Sequence, residues 1–212
     1  MQAIPIASYL VCEGLSKKFI DFFICIFTMS LVINCKEYLQ QRRNIYIVGF
    51  MGVGKTTVAR RVAYKLNMTL VDSDRAIERL AGKSVGEIFN EEDGERRFRH
   101  LERQFVESGH SKMNCVVACG GGLPIGEGMM ELLKSQGVVI ALFAGSRTIL
   151  ERTDRRETRP LLRVENKEEC IVGLLDAREN VYQKAHYLIF SENRRIGDVV
   201  ADVIRVYNSS QK

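Results

Sequence analysis

A chain of 212 residues with 46% hydrophobic content can fill one sizeable core, as a single domain or as one domain with an appendage. The formal net charge of +5 is mildly basic, yet the arginines are not interleaved with aromatics and no lysine-rich run occurs. No nucleic-acid partner is therefore expected, and anionic small substrates account for the balance as well.

The first 43 residues differ from the rest. Residues 19–35 form an apolar run interrupted by Asp21, at the bottom of the length range for a membrane-spanning helix. Lys17 and Lys18 precede it, without a clear small-x-small cleavage site after it. The run reads either as a membrane-associated segment or as an extension outside the working enzyme, with Met29 as a candidate internal start. Membrane association is not expected, though this run leaves it open. The domain division is thus an extension over 1–43 and a folded domain over 44–212.

From Asn44 onward, strand patterns alternate with helical ones, which predicts a doubly wound α/β fold on a five-stranded parallel sheet. The strands are expected at 45–48, 69–71, 115–119, 138–144 and 187–191. A helix after the first strand shows Val58, Val62 and Leu66 at i, i+4, i+8, and a closing helix shows Val199, Val203 and Val206. Between the second and third strands lies a helical insert over about 73–109. Ser84 and Glu87 form a capping box there, since each side chain can satisfy the other's free backbone N–H. A second insert helix is expected to bury Phe98, Leu101 and Phe105, with Arg99 and Glu102 turned away from that stripe. The six cysteines form no C-x-x-C pair and suit a reducing cytoplasm, with Cys115 and Cys119 read as buried strand thiols. His100, His110 and His186 belong to no constellation and read as structural.

The segment Gly49-Phe50-Met51-Gly52-Val53-Gly54-Lys55-Thr56 matches G-x-x-x-x-G-K-[ST] in full, after a strand and opening a helix. The glycines let backbone N–H groups curl around phosphate oxygens, and the helix start turns its positive dipole end toward them. Gly52, Val53, Gly54, Lys55, Thr56 and Thr57 are therefore the candidate nucleotide-binding residues, with Lys55 reaching the β- and γ-phosphates and Thr56 ligating Mg²⁺. A GTP switch is a poor reading, because no Asp has Gly three residues on. Asp72 and Asp74 end the second strand, beside the first, where open parallel sheets bind ligands. Phosphoryl transfer needs the metal anchored and the acceptor hydroxyl oriented, and one carboxylate for each task fits. The competing reading is that one of them merely caps a helix beginning at Arg75.

Beyond the P-loop, several blocks resemble shikimate kinases over nearly all of residues 44–207. They are Asp72-Ser73-Asp74; Gly86-Glu87-Ile88-Phe89 leading to Gly94-Glu95, Phe98-Arg99 and Glu102; Gly120-Gly121-Gly122; Arg159-Pro160-Leu161-Leu162; Arg178 with Tyr182; and Asn193-Arg194-Arg195. The resemblance implies ATP-dependent, Mg²⁺-assisted phosphorylation of shikimate to 3-phosphoshikimate, within the pathway to chorismate and the aromatic amino acids, by a cytoplasmic monomer. It implies that Asp72 helps hold Mg²⁺ with Thr56, and that Asp74 binds the shikimate hydroxyls and serves as candidate base. It assigns the shikimate carboxylate to Arg99 and Arg178, and a substrate contact to Gly121. Glu102 then holds Arg99 in its working rotamer. It makes Arg159 the catalytic cation of a lid over about 150–166, and Arg195 an adenine-side contact, while Arg152 is a weaker phosphate candidate. Two rivals stand beside this reading: a P-loop kinase for another polyol acid such as gluconate, and a non-catalytic ligand-sensing relative.

Overall fold

The computed structural model describes residues 42–154 and 166–211. Five parallel strands run β1 (Asn44–Gly49), β2 (Thr69–Asp72), β3 (Cys115–Ala118), β4 (Gly137–Phe143) and β5 (Tyr187–Phe190), in the spatial order β2-β3-β1-β4-β5. The expected sheet is thus present, with each strand end within two residues of its predicted place. Strands β1 and β3 are buried along their whole length, and β4 over all but its last residue. Such continuous apolar runs are what a parallel sheet covered on both faces demands. The register sets Ile45 opposite both Val116 and Val138, so β1 is the central strand.

The helices are α1 (Lys55–Leu66), α2 (Ser73–Ala81), α3 (Val85–Phe89), α4 (Gly94–Ser108), α5 (Met129–Gln136), α6 (Ser146–Asp154), α7 (Lys167–Tyr182) and α8 (Ile196–Ser209). Helix α1 lies on β1–β3 and against α8, burying Val58, Ala59, Val62 and Ala63. The predicted capping box opens α3: Ser84 and Glu87 satisfy each other's backbone donors. The insert is α2–α4, packed on one another.

Two local expectations change. Helix α2 begins at Ser73 rather than Arg75, and its cap is Asp72, whose Oδ1 accepts the Arg75 N–H at 3.4 Å. Asp74 therefore sits inside the first turn, where its carboxylate also meets the positive end of the helix. On α4, Glu102 is not turned outward: it is 2% exposed, among Phe98, Phe105 and Val106, whereas Leu101 is only half-buried. The reason is helical geometry. Glu102 lies i+4 from Phe98 and i−3 from Phe105, so it occupies the buried face itself.

The three histidines divide. Tyr46 and His110 share a hydrogen bond of 2.8 Å at the amino end of the sheet, and His186 Nδ1 accepts the Val139 N–H at 3.1 Å. Both are tied into the fold, as expected, whereas His100 is exposed on α4. Cys115 and Cys119 are buried free thiols in and after β3. Among the described residues no helix is long and apolar enough to cross a membrane. The apolar run over 19–35 lies outside the described residues.

Candidate active site

The carboxyl ends of the strands place the P-loop, the two aspartates and the glycine turn, as the crossover topology requires. Strand β1 feeds the P-loop, β2 delivers Asp72 and Asp74, and β3 runs into Gly120–Gly122. Gly54 caps α1 with φ 101°, a left-handed conformation that a side chain would strain. A Cβ added there would meet nothing within 4 Å, so the space over it is open. Helix α1 has no side-chain cap and no acidic residue in its first turn. Its first N–H groups and dipole are left for an anion, which is what a nucleotide phosphate needs.

All six predicted nucleotide residues, Gly52 to Thr57, line one cavity of about 440 Å³. Arg152, Ser191, Arg194 and Ile196 close its other side. Lys55 Nζ donates to the Gly49 and Phe50 carbonyls at 2.9 Å. Arg152 donates to the P-loop carbonyls of Gly52 and Val53 at 3.4 and 3.3 Å, and to the Ser191 carbonyl at 3.2 Å. The sequence ranked Arg152 low because its partners lie a hundred residues away. Arg195 is exposed at the head of α8 and does not line the cavity; its neighbour Arg194 does, ion-paired with Asp202 at 2.7 Å. Arg159 and most of the expected lid lie outside the described residues.

Thr56 Oγ1 donates to Asp72 Oδ2 at 3.4 Å, which brings the two proposed metal residues together beside the cradle. A hydroxyl and a carboxylate are hard oxygen donors, and Mg²⁺ takes one or two such groups plus phosphate and water rather than a full protein cage. The donor set fits that ion.

Next to the cradle, Asp74 and Arg99 converge on the glycine turn after β3. A Cβ on Gly120 would stand 2.3 Å from Asp74 Oδ1, and one on Gly122 would stand 2.6 Å from Arg99 Nη1. Only glycine lets both side chains lie this close. A Cβ on Gly121 would meet nothing nearer than 3.7 Å, so neighbours do not explain that residue and the room above it remains. Arg178 completes the group, with its guanidinium 5.7 Å from the Phe50 ring centre and beside Tyr182. Tyr182 in turn donates from its hydroxyl to the Gly121 carbonyl at 2.7 Å.

The electrostatics follow from burial. Desolvation raises the Asp74 pKa, and the charge of Asp72 adds to it, against the pull of Lys55 and of the Ser73 hydroxyl. Desolvation also pushes Glu102 up to about 7, although Arg99 Nη1 lies 2.7 Å from its Oε2. Arg99 is further held by Glu95 at 3.3 Å. Glu102 is thus the inner anchor of Arg99, and Glu95 the exposed one.

A stability prediction arises here. The folded-state pKa of Glu102 is raised above its unfolded value, so the favourable contribution of the protonated group is full below about 4.5 and is lost as pH rises through about 7. Glu102→Gln keeps the neutral shape and removes that loss. Its stability should gain on the wild type between pH 5 and pH 8, by up to ~3 kcal/mol at about 1.4 per pKa unit, read as a melting-temperature difference that widens as pH rises. A difference between the two that stays constant with pH would show Glu102 ionised throughout.

Residues 51–208 match the family model described as shikimate kinase. The chain belongs to the shikimate kinase family. A shikimate kinase from Caldanaerobacter subterraneus subsp. tengcongensis is 41% identical over 165 residues, which is 78% of this chain and 96% of that protein. The solved shikimate kinase from Acinetobacter baumannii in complex with shikimate has a TM-score of 0.75 at 36% identity, covering 82% of this chain and 97% of that one. The shikimate kinase from Aquifex aeolicus has a TM-score of 0.65 at 28% identity, covering 79% and 97%. As a shikimate kinase the chain is a P-loop phosphotransferase that uses ATP and Mg²⁺ to phosphorylate shikimate. The gluconate-kinase and non-catalytic readings give way to this one.

Proposed function

We propose that shikimate lies over the glycine turn, between Asp74, Arg99 and Arg178, with its acceptor hydroxyl directed at the P-loop. The convergence of Asp74 and Arg99 on Gly120 and Gly122 carries this reading, because a carboxylate and a guanidinium there meet a substrate bearing hydroxyls and a carboxylate. Asp74 accepts the hydroxyl proton as the shikimate oxygen bonds to the γ-phosphorus and the bond from that phosphorus to the β,γ-bridging oxygen breaks, leaving ADP; its raised pKa makes it a stronger base than an ordinary carboxylate. Arg99 and Arg178 hold the shikimate carboxylate, whose planar geometry the guanidinium fork matches. Gly121 contacts the substrate through its backbone. Lys55 leaves the Gly49 and Phe50 carbonyls to hold the β- and γ-phosphates, and Arg159 adds a cation from the lid. Thr56 and Asp72 would hold Mg²⁺, which when bound neutralises charge on the phosphates. On the adenine side, Arg194 and Arg152 line the cavity, and Arg195 flanks it in sequence.

ADP release measured across shikimate, quinate, gluconate and nucleoside monophosphates tests the substrate assignment. Shikimate should give the largest kcat/KM, and a larger value for gluconate or a nucleotide would overturn it. A monomeric state and a cytoplasmic location are part of the same proposal, supported by the family resemblance alone. We further propose that residues 1–43 are an extension outside the catalytic domain. A protein starting at Gln41 should then match the full chain in kcat and melting temperature, because β1 begins at Asn44 and the compact unit begins at Arg42. Aggregation of the shortened form would refute this boundary.

A further inference from the structure

The glycine turn is held at four backbone points. The Gly120 N–H donates to Ser73 Oγ at 2.8 Å, and the Gly120 carbonyl accepts from the Leu123 N–H at 3.2 Å. The Gly122 carbonyl accepts from the Ile125 N–H at 3.0 Å, and the Gly121 carbonyl accepts from the Tyr182 hydroxyl at 2.7 Å. Among the described residues, the N–H groups of Gly121 and Gly122 meet no protein acceptor. Three of the four holds come from the turn itself or from α2. Only Tyr182 reaches it from the far side, from the end of α7.

A trans peptide is planar, so its carbonyl and the following N–H point in opposite directions. Holding the Gly121 carbonyl toward α7 therefore aims the Gly122 N–H away from that helix. Tyr182 is well suited to the task. It is 2% exposed, and Phe143 meets its ring edge-on at 6.3 Å. Burial pushes its hydroxyl up to about 12, so it remains a donor wherever the enzyme works. Arg178 lies one turn earlier on the same helix, facing the same way.

We propose that Tyr182 is a positioning residue for shikimate: its bond to the Gly121 carbonyl aims the free Gly122 N–H and fixes its distance from Arg178. The turn and α7 then act as one rigid caliper on the acceptor, so that the carboxylate grip and the backbone contacts are set together. This inference rests on Gly121 and Arg178 being substrate contacts.

Two variants test it, each assayed for KM of shikimate, KM of ATP, kcat and melting temperature. Tyr182→Phe removes the hydroxyl and keeps the buried ring. One lost hydrogen bond should raise the KM for shikimate about five- to tenfold while the KM for ATP stays within about twofold. Gly121→Ala places a methyl over the turn with only ordinary contacts to Met51 N and Gly49 O, so it should fold and obstruct shikimate directly. If Gly121→Ala raises the KM for shikimate and Tyr182→Phe does not, the positioning role is refuted while the substrate site stands. If neither does, the substrate reading falls and takes this inference with it. If Tyr182→Phe lowers the melting temperature and raises both KM values alike, Tyr182 is merely structural and the inference fails.

Discussion

Asp74→Asn lowers kcat by roughly 10²–10⁴ at saturating shikimate, the usual contribution of a positioned general base. The substitution keeps the shape and still accepts from the Ser73 hydroxyl, which lies 3.2 Å from Oδ1. What it removes is a proton acceptor and a negative charge. That charge is costly in the folded protein, because burial and Asp72 both oppose it. Its raised folded-state pKa means that its contribution to stability, full at low pH, is lost as pH rises through that pKa. At neutral pH the variant should therefore melt no lower than the wild type, the outcome expected of a charge kept for catalysis rather than for stability. The same shift sets the acid limb of activity: kcat falls as pH drops through the pKa of Asp74, above the ordinary carboxylate range, and the variant loses that limb. Steady-state kinetics with a melting curve decide it. A loss under about tenfold in kcat, with a raised KM for shikimate, would make Asp74 a binding group rather than the base.

Arg99→Ala should reduce kcat/KM for shikimate by roughly 30-fold to several thousandfold, since truncating one partner of a desolvated charge pair costs about 2–5 kcal/mol. The KM for ATP should hardly move, because Arg99 faces Gly122 and not the nucleotide cavity. Part of the damage is structural. Glu102, with its side chain only 3% exposed, loses its close cationic partner. Adding Glu102→Gln should therefore recover the melting temperature without recovering activity. Arg99→Lys keeps the charge but not the planar fork, and should fall between wild type and alanine. Equal loss of nucleotide affinity in Arg99→Ala would remove Arg99 from the substrate site.

The strands and the helices α1 and α8 are legible because they carry a clean period: uninterrupted apolar runs in β1 and β4, and an i, i+4 stripe in α1. Helix α7, along which only Ile171 and Tyr182 are buried, carries no such stripe. The P-loop was readable for a different reason. Its chemistry is backbone chemistry in consecutive residues, so spacing alone defines it. The substrate side was not readable in this way. Asp74, Arg99 and Gly122 meet only because α2 and α4 fold across the end of β3, and motif resemblance, not period, named them. Glu102 departs from the Phe98, Leu101 and Phe105 stripe: its i+4 spacing from Phe98 puts it on the buried face, where a charged residue is legible only once the fold shows its Arg99 partner. Tyr182 stood beside Arg178 in a recognisable block, yet its bond to Gly121 joins segments that only the tertiary fold brings together. Arg194 and Arg195 differ by one residue, and a loop gives no period to decide which of them turns inward.

The central place of β1 also sets the order in which the molecule can be built. Its hydrogen-bonded neighbours are β3 and β4, so the strand emerges from the ribosome long before either partner exists. At about 5–20 residues per second, that wait is on the order of five to twenty seconds. During it, Ile45, Tyr46, Ile47 and Val48, none of them exposed in the finished protein, have no sheet to join. A short, uncharged β-prone segment in that state is a site for aggregation and for chaperone capture. The cradle at the end of β1 packs on β4, where Gly49 lies against the Leu142 carbonyl, so ATP meets no finished site on a chain that lacks β4. Ligand can stabilise this kinase after synthesis, but not early during it.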